Sequence, residues 1–158
     1  MFRTSHIFVA FAGVLSAFVL APAAGAGVRT STASSLVQAV NQTRAAYGLP
    51  SLRVDGRLAR AASAHSAEML RGNYFSHGDF ASRMAAFRVQ GPSLGENLAW
   101  GNGPYARPSA IVGEWLASPE HRANLLRPGW TRIGIGLARG TFLGSGGSTV
   151  VTADFAGR

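Results

Sequence analysis

The sequence contains no cysteine. That excludes disulfides, cysteine-ligated zinc, iron–sulfur clusters and thiol nucleophiles. It also contains no lysine: all 15 basic residues are arginine, against 7 acids, for a formal net charge of +8. The arginines stand singly, with only Arg53, Arg57 and Arg60 close together. Neither aromatic interleaving nor a nucleic-acid motif accompanies them, so they read as a solvated basic face and no nucleic-acid partner is expected. Common catalytic signatures are missing as well. There is no His-Glu-x-x-His zinc pattern and no phosphate-binding Gly-x-x-x-x-Gly-Lys. The Gly134/Gly136 pair lies inside a strand pattern, which excludes a dinucleotide fingerprint and suggests close backbone approach.

Long hydrophobic runs are missing too, except at the start. "MFRTSHIFVAFAGVLSAFVLAPAAGAG" has Arg3, an apolar run from Ile7 to Leu20, and small residues after it. This is the three-part pattern of a secretory leader over residues 1–26, with cleavage after Ala26 or Ala23. An uncleaved anchor helix is disfavoured by length, about 14 apolar residues against the roughly 20 a span needs. The mature chain is then expected to be extracytoplasmic (secreted, periplasmic or in the wall) with no transmembrane segment. Without Arg3 it carries 14 arginines and 7 acids, a net of +7. Such a charge favours anionic envelope surfaces as partners. About 130 residues can build one core without covalent staples.

Residues 27–34 are rich in Gly, Thr and Ser and read as a flexible lead-in to a domain over 35–156. "SLVQAVNQTRAAYGLP" predicts a helix with Leu36, Val37, Val40, Ala45 and Tyr47 inward, ended by Gly48 and Pro50. "RVDGRLARAASAHSAEMLRGN" predicts a second, with Asp55 as N-cap, Leu58, Ala62, His65 and Met69 on one face, and Gly72 ending it. "DFASRMAAFR" predicts a short helix from Asp79, and "SLGENLAW" an extended segment. "RPSAIVGEWLASPEHRANLLRPG" predicts a helix from about Ser109, a break at Pro119 and a second turn to Leu126. "TRIGIGLARG" and "STVVTADFAG" predict strands joined by the loop "TFLGSGGS". That order fits an α+β fold with an antiparallel sheet covered by helices.

Three histidines follow the leader. His65 is mid-helix on an apolar face and reads as a core histidine with one hydrogen bond. His77 and His121 lie at element ends, where side chains can converge on a cleft. Glu96 is a lone carboxylate in the otherwise uncharged run "SLGENLAWGNG", and charged side chains are seldom buried without a partner. Two imidazoles and a carboxylate can form an acid–base or metal set, or a structural hydrogen-bond cluster. Asn97, Arg122 and Asn124 read as structural clamps, and Trp100 and Trp115 as core or cleft wall.

The ordered series "YFSH", "GENLAWG", "W-x-x-S-P-x-H-R-x-N-L-L", "GIG" and "VTADFAG" resembles the CAP superfamily of cysteine-rich secretory, antigen 5 and pathogenesis-related proteins. The match is closest to its bacterial SCP-domain exported branch, over roughly Leu36 to Phe155. The resemblance implies a three-layer α-β-α sandwich with a central cleft holding two histidines and two glutamates. By motif, His77, Glu96 and His121 are cleft residues. His77 and His121 are candidate metal ligands, with zinc or another divalent ion as the implied cofactor. The second cleft glutamate is replaced by Ser118, and Glu114, one helical turn away, is expected to face solvent. The implied function is a monomeric extracytoplasmic binding module for a lipid, a cell-envelope component or a metal. The alternatives are a metal-assisted or His/Glu-dependent hydrolase and a structural envelope protein.

Overall fold

The computed structural model describes residues 24–157, with side chains from 32 onward. Ten elements run in the order α1 (Ala24–Ala46), β1 (Arg53–Val54), α2 (Gly56–Gly72), α3 (Phe80–Ala86), β2 (Ser93–Asn102), a 3₁₀ turn (Gly103–Ala106), α4 (Pro108–Ala117), α5 (Pro119–Leu125), β3 (Trp130–Phe142) and β4 (Ser145–Gly157). The leader expected over residues 1–26 falls, up to residue 23, outside the described residues. The segment 27–34 is helical rather than a flexible lead-in. No proline separates Pro22 from Pro50, so nothing stops α1 from extending toward the N-terminus.

Local chemistry accounts for several boundaries. Asp55 caps α2, its carboxylate accepting from the N–H groups of Arg57 and Leu58 at 2.8 and 3.3 Å. Asp79 caps α3 through the Ser82 N–H at 3.0 Å. The stop of α2 falls one residue beyond the expected one, with Asn73 in the left-handed region at φ 51°. The expected "TFLGSGGS" loop is a two-residue turn. Leu143 and Gly144 take φ 47° and 81°, as a type I′ hairpin requires, so β3 and β4 pair up to Phe142 and Ser145.

The four-stranded sheet has the order β1-β3-β4-β2. β2, β4 and β3 are antiparallel, while the two-residue β1 joins β3 in parallel, so the expected antiparallel sheet is in fact mixed. Helices cover both faces. Leu36 and Val40 of α1, Ile111, Val112 and Trp115 of α4, and Leu125 of α5 pack on Ala99, Ile133, Ile135, Val151, Ala153 and Phe155. On the other face α2 brings Leu58 and Ala61 to Ala156, and Met69 to Leu98 and Val150. There α2 lies almost on the main chain of β3. A Cβ at Gly136 would collide with the Ala62 carbonyl group, and one at Gly134 with the main chain of Leu58 and Ala59.

The face of α1 departs from expectation in one respect. Ala45 and Tyr47 are exposed and Arg44 is buried, continuing the 36–40–44 spacing. Its guanidinium donates to the carbonyls of Pro50, Leu125 and Arg127 at 3.1, 2.9 and 3.1 Å. It thereby ties α1 to the C-terminal end of α5, where a cation meets unsatisfied carbonyls. Burial holds its pKa below the usual arginine value.

Candidate functional site

Glu96 sits midway along β2, with its side chain 3% exposed. Its first partner is His77, from the loop between α2 and α3, whose Nδ1–H donates to Oε1 at 2.7 Å. That bond orients the imidazole, on a side chain that is 55% exposed. The loop is itself anchored by His65, which is fully buried and donates from Nε2 to Ser76 O at 2.9 Å. His65 is thus the expected core histidine, and its burial pushes its pKa down.

The second partner is Arg83 of α3, which sequence reasoning missed. Its Nη2 donates to Glu96 Oε2 at 2.5 Å and its Nη1 to His77 O at 3.1 Å. One buried guanidinium therefore holds both the glutamate and the loop that carries the histidine. The Phe80 ring lies 5.6 Å from it. A lone buried carboxylate implies a cation, but among singly scattered arginines nothing in the sequence selects this one.

The third neighbour, Asp154, was also missed. The β2–β4 register sets it directly opposite Glu96, and it is fully buried. Neither of its oxygens receives a hydrogen bond from a protein donor. Burial first, and then the Glu96 carboxylate, push its pKa up to about 9. At neutral pH Asp154 is a neutral acid, able to give its proton to the facing carboxylate. Its signal was legible: an acid inside the apolar run "TVVTADFAG", of the same kind as Glu96 in its own strand.

His121 is placed differently. It belongs to α5, across the edge of β2, and its main-chain carbonyl accepts from Asn97 Nδ2 at 3.0 Å. Asn124 donates to Asn97 Oδ1 and to Glu96 O at 2.9 and 3.0 Å, while its carbonyl accepts from Trp130 Nε1 at 2.7 Å. Asn97 and Asn124 are the structural clamps expected. Arg122 is not, since it is exposed and lies over the Tyr47 ring at 5.2 Å. The imidazole of His121 lines a cavity of about 480 Å³, and burial followed by the charge of His77 push its pKa down. Phe75, Trp100, Tyr105, Glu114 and Trp115 line the same cavity; Glu114 is exposed, as expected, and stands at its rim.

Of the three expected cleft residues, His77 and Glu96 are hydrogen-bonded, and His121 is near enough to feel the charge of His77. His77 and Glu96 are joined directly but lie outside the lining of the cavity, to which His121 belongs. The residues do not suit a resident metal. Both oxygens of Glu96 are engaged, one by a cation, which leaves two imidazoles as donors. Among the described residues no group of three or more His, Asp or Glu side chains could hold a metal ion. None of the described helices is long and apolar enough to cross a membrane.

The chain is 35% identical over 106 residues to the uncharacterised protein YkwD of Bacillus subtilis, covering 64% of this chain and 40% of that protein. It is 32% identical over 117 residues to the uncharacterised membrane protein YlbC of the same organism, covering 71% of this chain and 33% of that one. It thus spans less than half the length of either relative. An extracellular SCP-domain protein from Bacillus anthracis superposes with a TM-score of 0.74 at 26% identity, over 90% of this chain and 45% of the other. An outer surface protein of Borrelia burgdorferi shares the fold, with a TM-score of 0.64 at 20% identity over 81% and 94%. Residues 37–155 match the cysteine-rich secretory protein family, a span that takes in His77, Glu96, His121 and Asp154. The chain is therefore a member of the CAP family, with the α+β fold that its motifs imply.

Proposed function

We propose that this domain is an extracytoplasmic binding module whose ligand occupies the cavity beside β2. The observation that carries this is the lining: aromatic and apolar walls with a few polar groups, His121 and Glu114 among them, which is the usual make-up of a ligand pocket. Exposed apolar groups at its mouth support it. Phe75 is 41% and Tyr105 65% exposed, and Leu143, at 46%, stands two residues from the lining residue Ser145. A small hydrophobic molecule or an envelope component with an apolar part suits these walls. The leader read from the sequence and the extracellular and outer-surface relatives support placement outside the cytoplasm. The net positive charge favours an anionic envelope. On this reading the protein acts as a monomer, and Arg83, bonded to Glu96 and to the main-chain carbonyl of His77, holds the α2–α3 loop, and Phe75 with it, at the cavity.

The test is mass spectrometry of material extracted from protein purified from its native envelope, repeated on two exposed-residue variants. Tyr105→Ala should lower retention of the bound species at least about fivefold, as loss of an aromatic contact does. His77→Ala should retain it. Loss with His77→Ala but not with Tyr105→Ala would contradict the cavity as the site.

One observation favours a second reading, a His/Glu-dependent hydrolase. His77 is oriented by Glu96 and turns Nε2 outward, as a general base on water requires. Cleavage of peptide or peptidoglycan substrates that disappears in His77→Ala would support it. Cleavage unaffected by both His77→Ala and Glu96→Gln would remove it.

A further inference from the structure

The strand order makes β2 an edge strand, and hydrogen-bond parity shows which of its backbone groups are unpaired within the sheet. The Asp55 N–H donates to Ile133 O at 2.9 Å, so the main chain of Ile133 faces β1. Successive residues alternate, so Gly134 faces β4, opposite Asp154. On β4, Ala153 and Phe155 then face β2, opposite Asn97 and Gly95. The even-numbered residues of β2 therefore turn their N–H and C=O groups away from the sheet. Two side chains meet that outward series: Asn124 Nδ2 donates to Glu96 O at 3.0 Å and Trp115 Nε1 to Leu98 O at 2.9 Å.

Beyond Leu98 the outward series continues at Trp100 and at the N–H of Asn102, whose carbonyl begins the 3₁₀ turn it caps, and both residues line the cavity. A row of strand donors and acceptors in a cavity is a template for another strand. Leu98 to Asn102 extends about 16 Å, enough for a segment of about five residues. The charge of the lining is complementary to a cation. The chain has 15 arginines, yet the charged side chain at the cavity is Glu114, and burial disfavours the charged form of His121 there.

We propose that the edge of β2, through the main chain of Trp100 and the N–H of Asn102, pairs with an extended peptide that places a basic side chain beside Glu114. This rests on the cavity being the ligand site and names the class of ligand. Main-chain pairing supplies affinity without a fixed sequence, the aromatic walls take alternate side chains, and Glu114 selects for positive charge.

The probe is acetyl-Val-Lys-Val-Thr-Val-amide at up to 1 mM, followed by amide NMR on the full domain. Slowed exchange of the Trp100 and Asn102 amides is the expected result. Two further probes carry N-methyl groups on residues 1, 3 and 5 or on residues 2 and 4. One of them should bind at least about tenfold more weakly than the other, because only one set of N–H groups faces β2. Glu114→Arg should shift preference from the Lys peptide to its Glu counterpart by about three- to tenfold. No binding, equal binding of the two methylated probes, or indifference to Glu114→Arg would each overturn the proposal. A non-peptide ligand retained in a Tyr105-dependent way would then leave the cavity reading standing without it.

Discussion

The two sides of β2 use the same strand for opposite ends. On the α2–α3 side, Glu96 is bonded by Arg83 and His77 and faces Asp154 across the β2–β4 register. Around the outer edge, Tyr105, Trp115 and His121, with Trp100 from the same face as Glu96, surround a cavity of about 480 Å³. Buried ion pairs add little net stability, but removing one partner is costly. Their value here is positional: Arg83 links Glu96 in the sheet to the carbonyl of His77 in a loop that has no strand or helix of its own. An open cavity can keep its shape only beside a neighbour that does not move.

The closed side should therefore break first. Gly136→Val would drive a side chain into the Ala62 main chain, and unfolding in urea should show a loss of more than about 4 kcal/mol. Arg83→Ala strands Glu96 beside Asp154, with an expected loss of about 3–5 kcal/mol. Arg83→Lys should recover only part, because an ammonium cannot reproduce the fork to both partners.

Asp154→Asn acts through pH. The carboxyl of Asp154 has its native pKa raised to about 9, against an ordinary value of 3.8. The native state then binds the extra proton, so this group's contribution to stability is full below about pH 4 and is lost as pH rises toward 9. Denaturation at pH 5, 6.5 and 8 should show the wild type losing up to about 1.4 kcal/mol per pH unit from this source. The asparagine variant should lack that slope. On the open side the effects on folding are smallest. Glu114→Gln should change stability by no more than about 0.5 kcal/mol while still altering recognition of a cationic ligand.

Much of this architecture was legible from residue patterns. Asp55 and Asp79 announced their helices, and Pro119 the break between α4 and α5, because caps and proline act locally. The pairing of His77 with Glu96 came through motif resemblance and is present as a hydrogen bond. What failed depended on register and layer. Asp154 meets Glu96 only because β2 and β4 align residue 96 with 154. Arg83 and Arg44 became internal because a short helix and the end of α1 turn them inward, among arginines that look alike in sequence. His121 lines the cavity from α5, a placement that the motif alone does not give. The tight β3–β4 turn was hidden because its first residue, Leu143, is not one that favours positive φ.

The central claim is that Glu96 is locked by its neighbours, with Asp154 facing it as a neutral acid. Carboxyl carbon NMR of the labelled domain between pH 3 and 10 tests this most directly. Asp154 titrating well above neutrality, near 9, and moving down in Glu96→Gln while burial still holds it above the ordinary carboxylate range, is the predicted result. An Asp154 resonance that titrates near pH 4 in the folded protein would contradict the account.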